Sequence, residues 1–561
     1  MINKYLNKFR IYIKIYAKPL YLMMAIGASI TLAVIIFYAS KHATLAASVN
    51  SDGIVNTYLF EHFKFNDMIV PGNHTLLLKW PLFALQSLFH YNFTSYSILN
   101  FFFLFSTLWG WCVGLTILFG KKHYVLICMS LIVLLVGSII FPFFLIFGSL
   151  RNIEYPIGLF FLLSLRALLV SDHMRKLKVI GIILSSLLFS LAIASDSLMT
   201  VTFVLPAAII IATYWLKGGK LTKKLILISS LLIGTVLFSF IIKNQTAMAG
   251  IAILHYDVTL NPIIVKYDIL WPSLVYAFQQ LFDIVGADIA SRPVDLENSL
   301  YFFKFLILII SLGGLISVTL RFFKSKAKDI INGDFFALTA LALGFFATLT
   351  AYIMLGMVYT QLPNGQLVDA GASRYIEVLP LIMVAGIVVS FQLIPRSRRI
   401  AVLTIFIATA SLCAVASLNT IREDTSNRDT SSNTSISQQK KIANILTNNG
   451  VQFIASGYWD GATTRFWSDN RVKYISINNC DNTAPDYNTR ISWLKEDHYS
   501  KTALVINRRG PNADYWKCSD QQLSKIYGTP VQKIAVSADS TTGPVVWIYN
   551  YDIRSKLISN Y

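Results

Sequence analysis

The sequence predicts a polytopic α-helical membrane protein of about 11 transmembrane helices, bearing a C-terminal extracytoplasmic α/β domain. Three observations carry this reading. Of 561 residues, 55% are hydrophobic and only 14% charged, against roughly 25% charged in soluble domains. Apolar runs recur that match the bilayer core, which takes about 20 helical residues. The character then changes at the end: residues 420–561 hold 17 Lys and Arg against 13 Asp and Glu, and short β runs alternate there with helix-like stretches. A soluble enzyme, a transmembrane β-barrel and a disordered chain are excluded. The formal charge of +19 is not a nucleic-acid footprint, because most of the surplus basic residues lie in short connections between apolar runs.

The predicted spans are 18–40, 97–119, 124–146, 155–171, 177–195, 199–216, 223–243, 301–321, 335–358, 375–394 and 400–419. The first is long enough to cross and has no small-residue cleavage site close behind it, so it reads as a retained helix rather than a signal peptide. Lys4, Lys8, Arg10, Lys14 and Lys18 precede it. Basic clusters then follow at every second connection: Lys121–Lys122, Arg175 to Lys178, Lys217 to Lys224, Arg321 to Lys328, and Arg396 to Arg399. The intervening loops hold few, Lys41, Lys64, Lys79, Arg151, Lys266 and Arg292, besides Arg374 at the edge of a span. By the positive-inside rule the N-terminus is cytoplasmic and, with an odd number of spans, residues 420–561 lie outside.

The long loops, 41–96 and 244–300, both fall on the outer side. Residues 54–63, 76–89 and 270–285 are apolar but too short to span, which predicts helices lying at the interface. Residues 1–419 thus form a membrane domain, 420–439 a Ser/Thr/Asn-rich linker, and 440–561 a small α/β domain. In the last, 438–448 is helix-like and 452–455, 472–477, 503–506 and 545–549 are strand-like. Cys112, Cys128 and Cys413 sit in apolar runs as small hydrophobes. Cys480 and Cys518 lie in the tail, and their pairing stays open.

Most acidic residues of the membrane portion fall in outer loops, and four positions there invite chemistry. Asp52, in Asn50-Ser-Asp-Gly, sits just before an amphipathic stretch, where it is either a helix N-cap or a base for an acceptor hydroxyl. Arg151 and Glu154 share a tight loop, where they either pair with each other or bind a phosphate and a sugar. Asp196, in Ala-Ser-Asp-Ser, is flanked by apolar sequence. A carboxylate at the hydrocarbon edge is costly and points to function, the alternative being a turn. Arg374 and Tyr375 open a span on the outer side, against the charge rule. A guanidinium at headgroup level suits a lipid phosphate, and a pair with Glu377 three residues on is the competing explanation. His74, in Pro-Gly-Asn-His-Thr, is a weaker substrate or metal candidate. No Walker loop, Rossmann glycine pattern or zinc framework is present.

The layout resembles the GT-C superfamily of polytopic glycosyltransferases, which use polyprenyl-phosphate-linked sugars. Residues 41–96 with Asp52, the short loop with Glu154, and Ser373-Arg374-Tyr375 carry the resemblance. The tail, with Phe453-Ile-Ala-Ser-Gly-Tyr-Trp-Asp and Ile491-Ser-Trp-Leu, is similar to the extracytoplasmic domain of uncharacterised bacterial members. The resemblance implies an inverting sugar transfer from a polyprenyl-phosphate donor to a cell-envelope glycan or lipid, such as lipopolysaccharide O-antigen, at the outer face of the bacterial inner membrane. By this resemblance Asp52 inherits the role of general base or of positioning the acceptor, and Arg374 and Arg151 that of holding the leaving phosphate. Tyr375, Glu154, Asp196 and His74 fall among the donor-binding candidates. Oligosaccharide-transferring members bind a divalent metal, Mg or Mn, through acidic residues of two loops. Asp52 with Glu154 is the pair that would do so here, although single-sugar donors often need none. The sequence departs from members with a paired acidic motif, because Gly53 follows Asp52. A non-catalytic lipid or sugar transporter or flippase is the alternative, disfavoured by nearly charge-free midspans and no evident repeat.

Overall fold

The structure is a computed structural model that describes residues 2–47, 68–71, 77–79, 81–82, 85, 93–136, 138, 140–146, 151–171, 176–248, 252–254, 267–289, 298–355, 358–361, 367–369, 373–477, 489–490, 493, 498–508, 516–536 and 543–557. It is a bundle of apolar helices capped at one end by short strands and by the C-terminal α/β unit. The helices are α1 (Ile2–Ala47), α2 (Phe93–Phe119), α3 (Tyr124–Leu135), α4 (Ile140–Ile146), α5 (Glu154–Val170), α6 (Lys176–Ser195) and α7 (Leu205–Leu216). They continue with α8 (Lys223–Met248), α9 (Tyr267–Ile284), α10 (Ser299–Lys324), the short α11 (Ala327–Ile330), α12 (Gly333–Met354), α13 (Val378–Leu393) and α14 (Arg396–Asn448).

The chain is a polytopic helical membrane protein by these helices, but the count of eleven spans is not what they give. Among the described residues six are long and apolar enough to cross a bilayer, or seven if the bent pair α3–α4 is one span. Four of the five predicted spans outside those six differ for physical reasons, and the fifth, 400–419, lies within α14. The predicted span at 124–146 is broken by a bend of 101°. The helix α5 has 17 residues and α13 has 16, so each is about 25 Å long at 1.5 Å per residue, short of a hydrocarbon core about 30 Å thick. The predicted span at 199–216 begins in a π-helical turn, Thr200–Val204, before α7. The segment predicted as a linker, 420–439, is helical within α14.

Two ends of the bundle can be told apart by their cross-links. At one end the Tyr21 hydroxyl donates to the Lys121 carbonyl, Lys224 Nζ to Leu169 O at 3.1 Å, and Lys217 Nζ to Phe323 O and Ser325 O at 2.6 and 2.7 Å. Arg166 pairs with Asp334 there too. These ammonium groups satisfy helix-terminal carbonyls that have no intrahelical partner, and they complement the negative end of the dipole. The basic connections therefore cluster at this basic end.

At the opposite end, β1 (Met68–Pro71) pairs in parallel with β2 (Ala252–Leu254) and antiparallel with β7 (Thr489–Arg490). One small sheet thus draws on both long loops and on the tail, so these three strands lie together on one side of the bundle. A hairpin of β3 (Tyr359–Gln361) and β4 (Leu367–Asp369) precedes α13. The helix α9, placed where an interfacial helix was predicted, contains Pro272.

Helix α13 is the centre of the bundle, with every residue from Val378 to Val389 buried. Trp111 Nε1 of α2 donates to its Leu381 carbonyl at 2.7 Å. Against α10 the backbones nearly touch: a Cβ on Gly314 would stand 2.2 Å from the Gly386 carbonyl, and one on Gly386 2.4 Å from that of Ser311. Only glycine permits this approach, and it fixes the height at which α13 begins.

The tail forms a five-stranded sheet in the order β6 (Lys473–Ser476), β5 (Phe453–Ser456), β8 (Thr502–Ile506), β10 (Val545–Tyr549), β9 (Gln532–Ala535). The first three are parallel, β10 pairs antiparallel with β8, and β9 pairs antiparallel with β10 at the edge. Helix α15 (Tyr458–Trp467) links β5 to β6, and α16 (Asp520–Tyr527) starts in a capping box of Ser519 and Gln522. The strands β5 and β8 are buried throughout, as continuous apolar runs covered on both faces should be. The tail core is continuous with Tyr96, Leu99 and Phe103 of α2, and the Tyr96 ring meets that of Phe466 edge-on at 6.1 Å. Cys518 is disulfide-bonded, whereas Cys112 and Cys128 are free buried thiols.

Candidate functional site

Four of the residues picked from sequence converge at the end of the bundle opposite the basic one. Glu154 is the first residue of α5, where a carboxylate favours the helix dipole. Its Oε2 accepts the Asn152 amide at 2.9 Å, and its Oε1 lies 3.2 Å from Lys79 Nζ. The two side chains are 2% and 0% exposed, so water screens neither. Burial pulls the Lys79 ammonium below its ordinary value, and the Glu154 carboxylate opposes part of that pull.

Arg151 forms an ion pair with Asp196, and both are buried. Asp196 follows the last residue of α6 and also accepts the Leu198 amide on Oδ1 at 2.8 Å. It therefore holds a turn and a guanidinium at once. The Arg151 guanidinium stacks over the Tyr375 ring, with Cζ 4.5 Å from its centroid. The local Arg151–Glu154 pair is not made: each takes a partner from a distant element.

Glu377 stands at the N-terminus of α13, fully buried, and accepts the Tyr155 hydroxyl on Oε1 at 2.7 Å. Its Oε2 has no hydrogen-bond partner among the described residues. It interacts electrostatically with Arg151 and Lys79. The Arg374–Glu377 pair considered from their spacing is not made. Arg374 is half-buried in the turn Ser373–Tyr375, with Cζ 5.6 Å from the Tyr375 centroid.

When ionised, the cluster of Lys79, Arg151, Glu154, Asp196 and Glu377 has one more carboxylate than cations. Its interior cations are engaged by carboxylates; the half-buried Lys243 ammonium also interacts electrostatically with Asp196, and Arg374 stands at the rim. This arrangement can hold Tyr375 rigidly and present Arg374 to an anion, with Glu377 close by as a carboxylate whose second oxygen is unoccupied.

Asp52 and His74 lie outside the described residues. A divalent metal held by Asp52 and Glu154 finds little support in Glu154, whose two oxygens are engaged by Lys79 and by the Asn152 amide. No group of three or more His, Cys, Asp or Glu suited to a metal occurs among the described residues. Sequence reasoning missed Lys79, Tyr155 and the part played by Glu377. The signal for Lys79 was legible: a lone cation in the apolar stretch Leu76-Leu-Leu-Lys-Trp-Pro-Leu-Phe has to find a buried partner. No family model, curated protein or solved structure matches the chain.

Proposed function

We propose that the protein is an inverting membrane glycosyltransferase of the GT-C kind, moving a sugar from a polyprenyl-phosphate carrier to an envelope glycan or lipid acceptor, such as lipopolysaccharide O-antigen, on the outer face of the bacterial inner membrane. The observation that carries this reading is the convergence of Arg151, Glu154, Asp196 and Tyr375, with Arg374 at the rim, at the end of the bundle remote from the basic connections. By the positive-inside rule that end is the outer one. The disulfide at Cys518 supports the same orientation for the tail, since such bonds persist in oxidising compartments.

In this reading the acceptor oxygen attacks the anomeric carbon as the bond from that carbon to the phosphate oxygen breaks. The hydroxyl proton passes to a carboxylate, Asp52 by resemblance, with Glu377 as the alternative. Arg374 meets the negative charge developing on the departing polyprenyl phosphate, and Tyr375, clamped by Arg151, fixes where Arg374 stands. A lipid phosphate is already a good leaving group, so positioning and charge stabilisation are the main demands on the protein.

Transport is favoured by one feature, the bent pair α3–α4, since broken spans mark binding sites in transporters. Yet the polar side chain described at that break is engaged: the Ser138 hydroxyl donates to the Ile284 carbonyl and accepts the Phe141 amide at 3.2 Å. The deciding experiment is glycan mass spectrometry of envelope extracts from cells with the protein, without it, and with Asp52→Asn, Glu377→Gln or Arg374→Ala. A sugar-sized mass increment lost without the protein and in Arg374→Ala supports transfer, and the carboxylate variant that abolishes it identifies the base. Identical envelopes in all strains, with the protein well expressed, would sink the proposal and favour transport.

A further inference from the structure

A cavity of about 470 Å³ opens at the basic end, between the last turns of α2, α10 and α13, the short α11 and the first turns of α12. That volume falls in the range of small-ligand sites, roughly 300–1,000 Å³. Its walls are of two kinds. Leu118, Phe119 and Leu338 give an apolar side, while Arg321, Lys328 and Asp329 give a charged one. Asp334 also lines it but is paired with Arg166. The Arg321 guanidinium lies over the Phe335 ring, Cζ 5.1 Å from the centroid, and this holds its plane. Neither Arg321 nor Lys328 has a carboxylate partner among the described residues.

With Asp334 neutralised, the cavity offers two cations and one carboxylate beside an apolar wall, at the level where helices leave the hydrocarbon. A basic pocket between transmembrane helices suits a lipid phosphate, and the carboxylate asks in addition for a cationic headgroup. We propose that this cavity binds a zwitterionic phospholipid through its phosphoethanolamine headgroup, the phosphodiester on Arg321 and Lys328, the ammonium on Asp329, and the start of the acyl chains along Leu118 and Leu338. The inference is independent of the chemistry proposed for the opposite end.

Native mass spectrometry of the full chain, purified and then offered an equal mixture of phosphatidylethanolamine and phosphatidylglycerol, tests it. Wild type should retain phosphatidylethanolamine in preference. The Arg321→Ala/Lys328→Ala variant should lose that lipid at least tenfold. Asp329→Asn should keep phospholipid but lose the preference for ethanolamine. All three residues are exposed, so these variants should fold, and an unchanged gel-filtration profile checks that they do. Equal retention by wild type and the double variant, or a wild-type preference for phosphatidylglycerol, would overturn the proposal. So would displacement of the lipid by an equal concentration of soluble glycerophosphoethanolamine, which would make the free headgroup the ligand.

Discussion

Removing one charge of the Lys79–Glu154 pair should cost far more than removing both. At 3.2 Å and an effective dielectric constant of about 20, the Coulomb attraction is about 5 kcal/mol. With both side chains sealed from water, a single deletion strands an ion in a dry site, which costs about 3–5 kcal/mol. Glu154→Gln isolates this effect, because a Gln oxygen can still accept the Asn152 amide, and Lys79→Met is its mirror image. Each should lower the unfolding free energy by that amount, measured by denaturant titration of the full chain in detergent with circular dichroism as the signal. The Lys79→Met/Glu154→Gln double variant should recover most of that loss, since it removes both buried charges and leaves Gln to accept the Asn152 amide. A double variant as unstable as the sum of the singles, or singles that cost under about 1 kcal/mol, would refute the claim that the two charges depend on each other.

Three further outcomes follow from particular contacts. Gly314→Leu forces side-chain atoms against the Gly386 carbonyl. It should destabilise the bundle by about 1–3 kcal/mol or more and reduce sugar transfer, because α13 carries Glu377; a thermal melt and the envelope assay read both. Arg374→Ala should abolish the proposed transfer with little change in melting, whereas Arg151→Ala should lose both, because it removes the ion-pair partner of the buried Asp196. In the tail, burial pushes the Asp460 carboxyl up to about 7, against the opposing hydrogen bond from Asn507. A raised folded-state value means that its stabilising contribution is complete below the unfolded value of 3.8 and is lost as pH rises towards 7. At about 1.4 kcal/mol per unit, Asp460→Asn should recover up to about 4 kcal/mol at pH 8 and flatten that window, seen as slower hydrogen exchange in β5 and β8 after correction for intrinsic rates.

Elements whose formation depends on local apolar content were legible in the sequence. The strands β5, β6, β8 and β10 fall within a residue of the runs predicted for them, because a fully buried strand is a continuous apolar run. The edge strand β9 was not legible, since Gln532-Lys-Ile-Ala is mostly exposed and lacks that pattern. Nor were β1, β2 and β7, whose pairing is created by three loops meeting. The span count is met only in part among the described residues for a related reason: hydropathy registers apolar content and is blind to a bend between α3 and α4 or a π turn before α7.

The site divides along the same line. That Asp196 and Arg374 are out of place could be read from the sequence, because an ionisable group at the hydrocarbon edge is costly wherever the chain puts it. Which groups answer them could not. Spacing proposed Arg151 with Glu154 and Arg374 with Glu377, each three residues apart. The fold instead brings Lys79 from the first outer loop to Glu154, Asp196 from the end of α6 to Arg151, and Tyr155 to Glu377. At a helix start, a residue three positions on competes with any charge that assembly delivers from another element. Arg151 and Glu154 are both buried, and each is met there by an opposite charge from another element rather than by the other. Arg374 is the instructive case: its neighbour Glu377 is drawn inward to Tyr155, and the guanidinium is left at the rim, where an anionic ligand would have to approach.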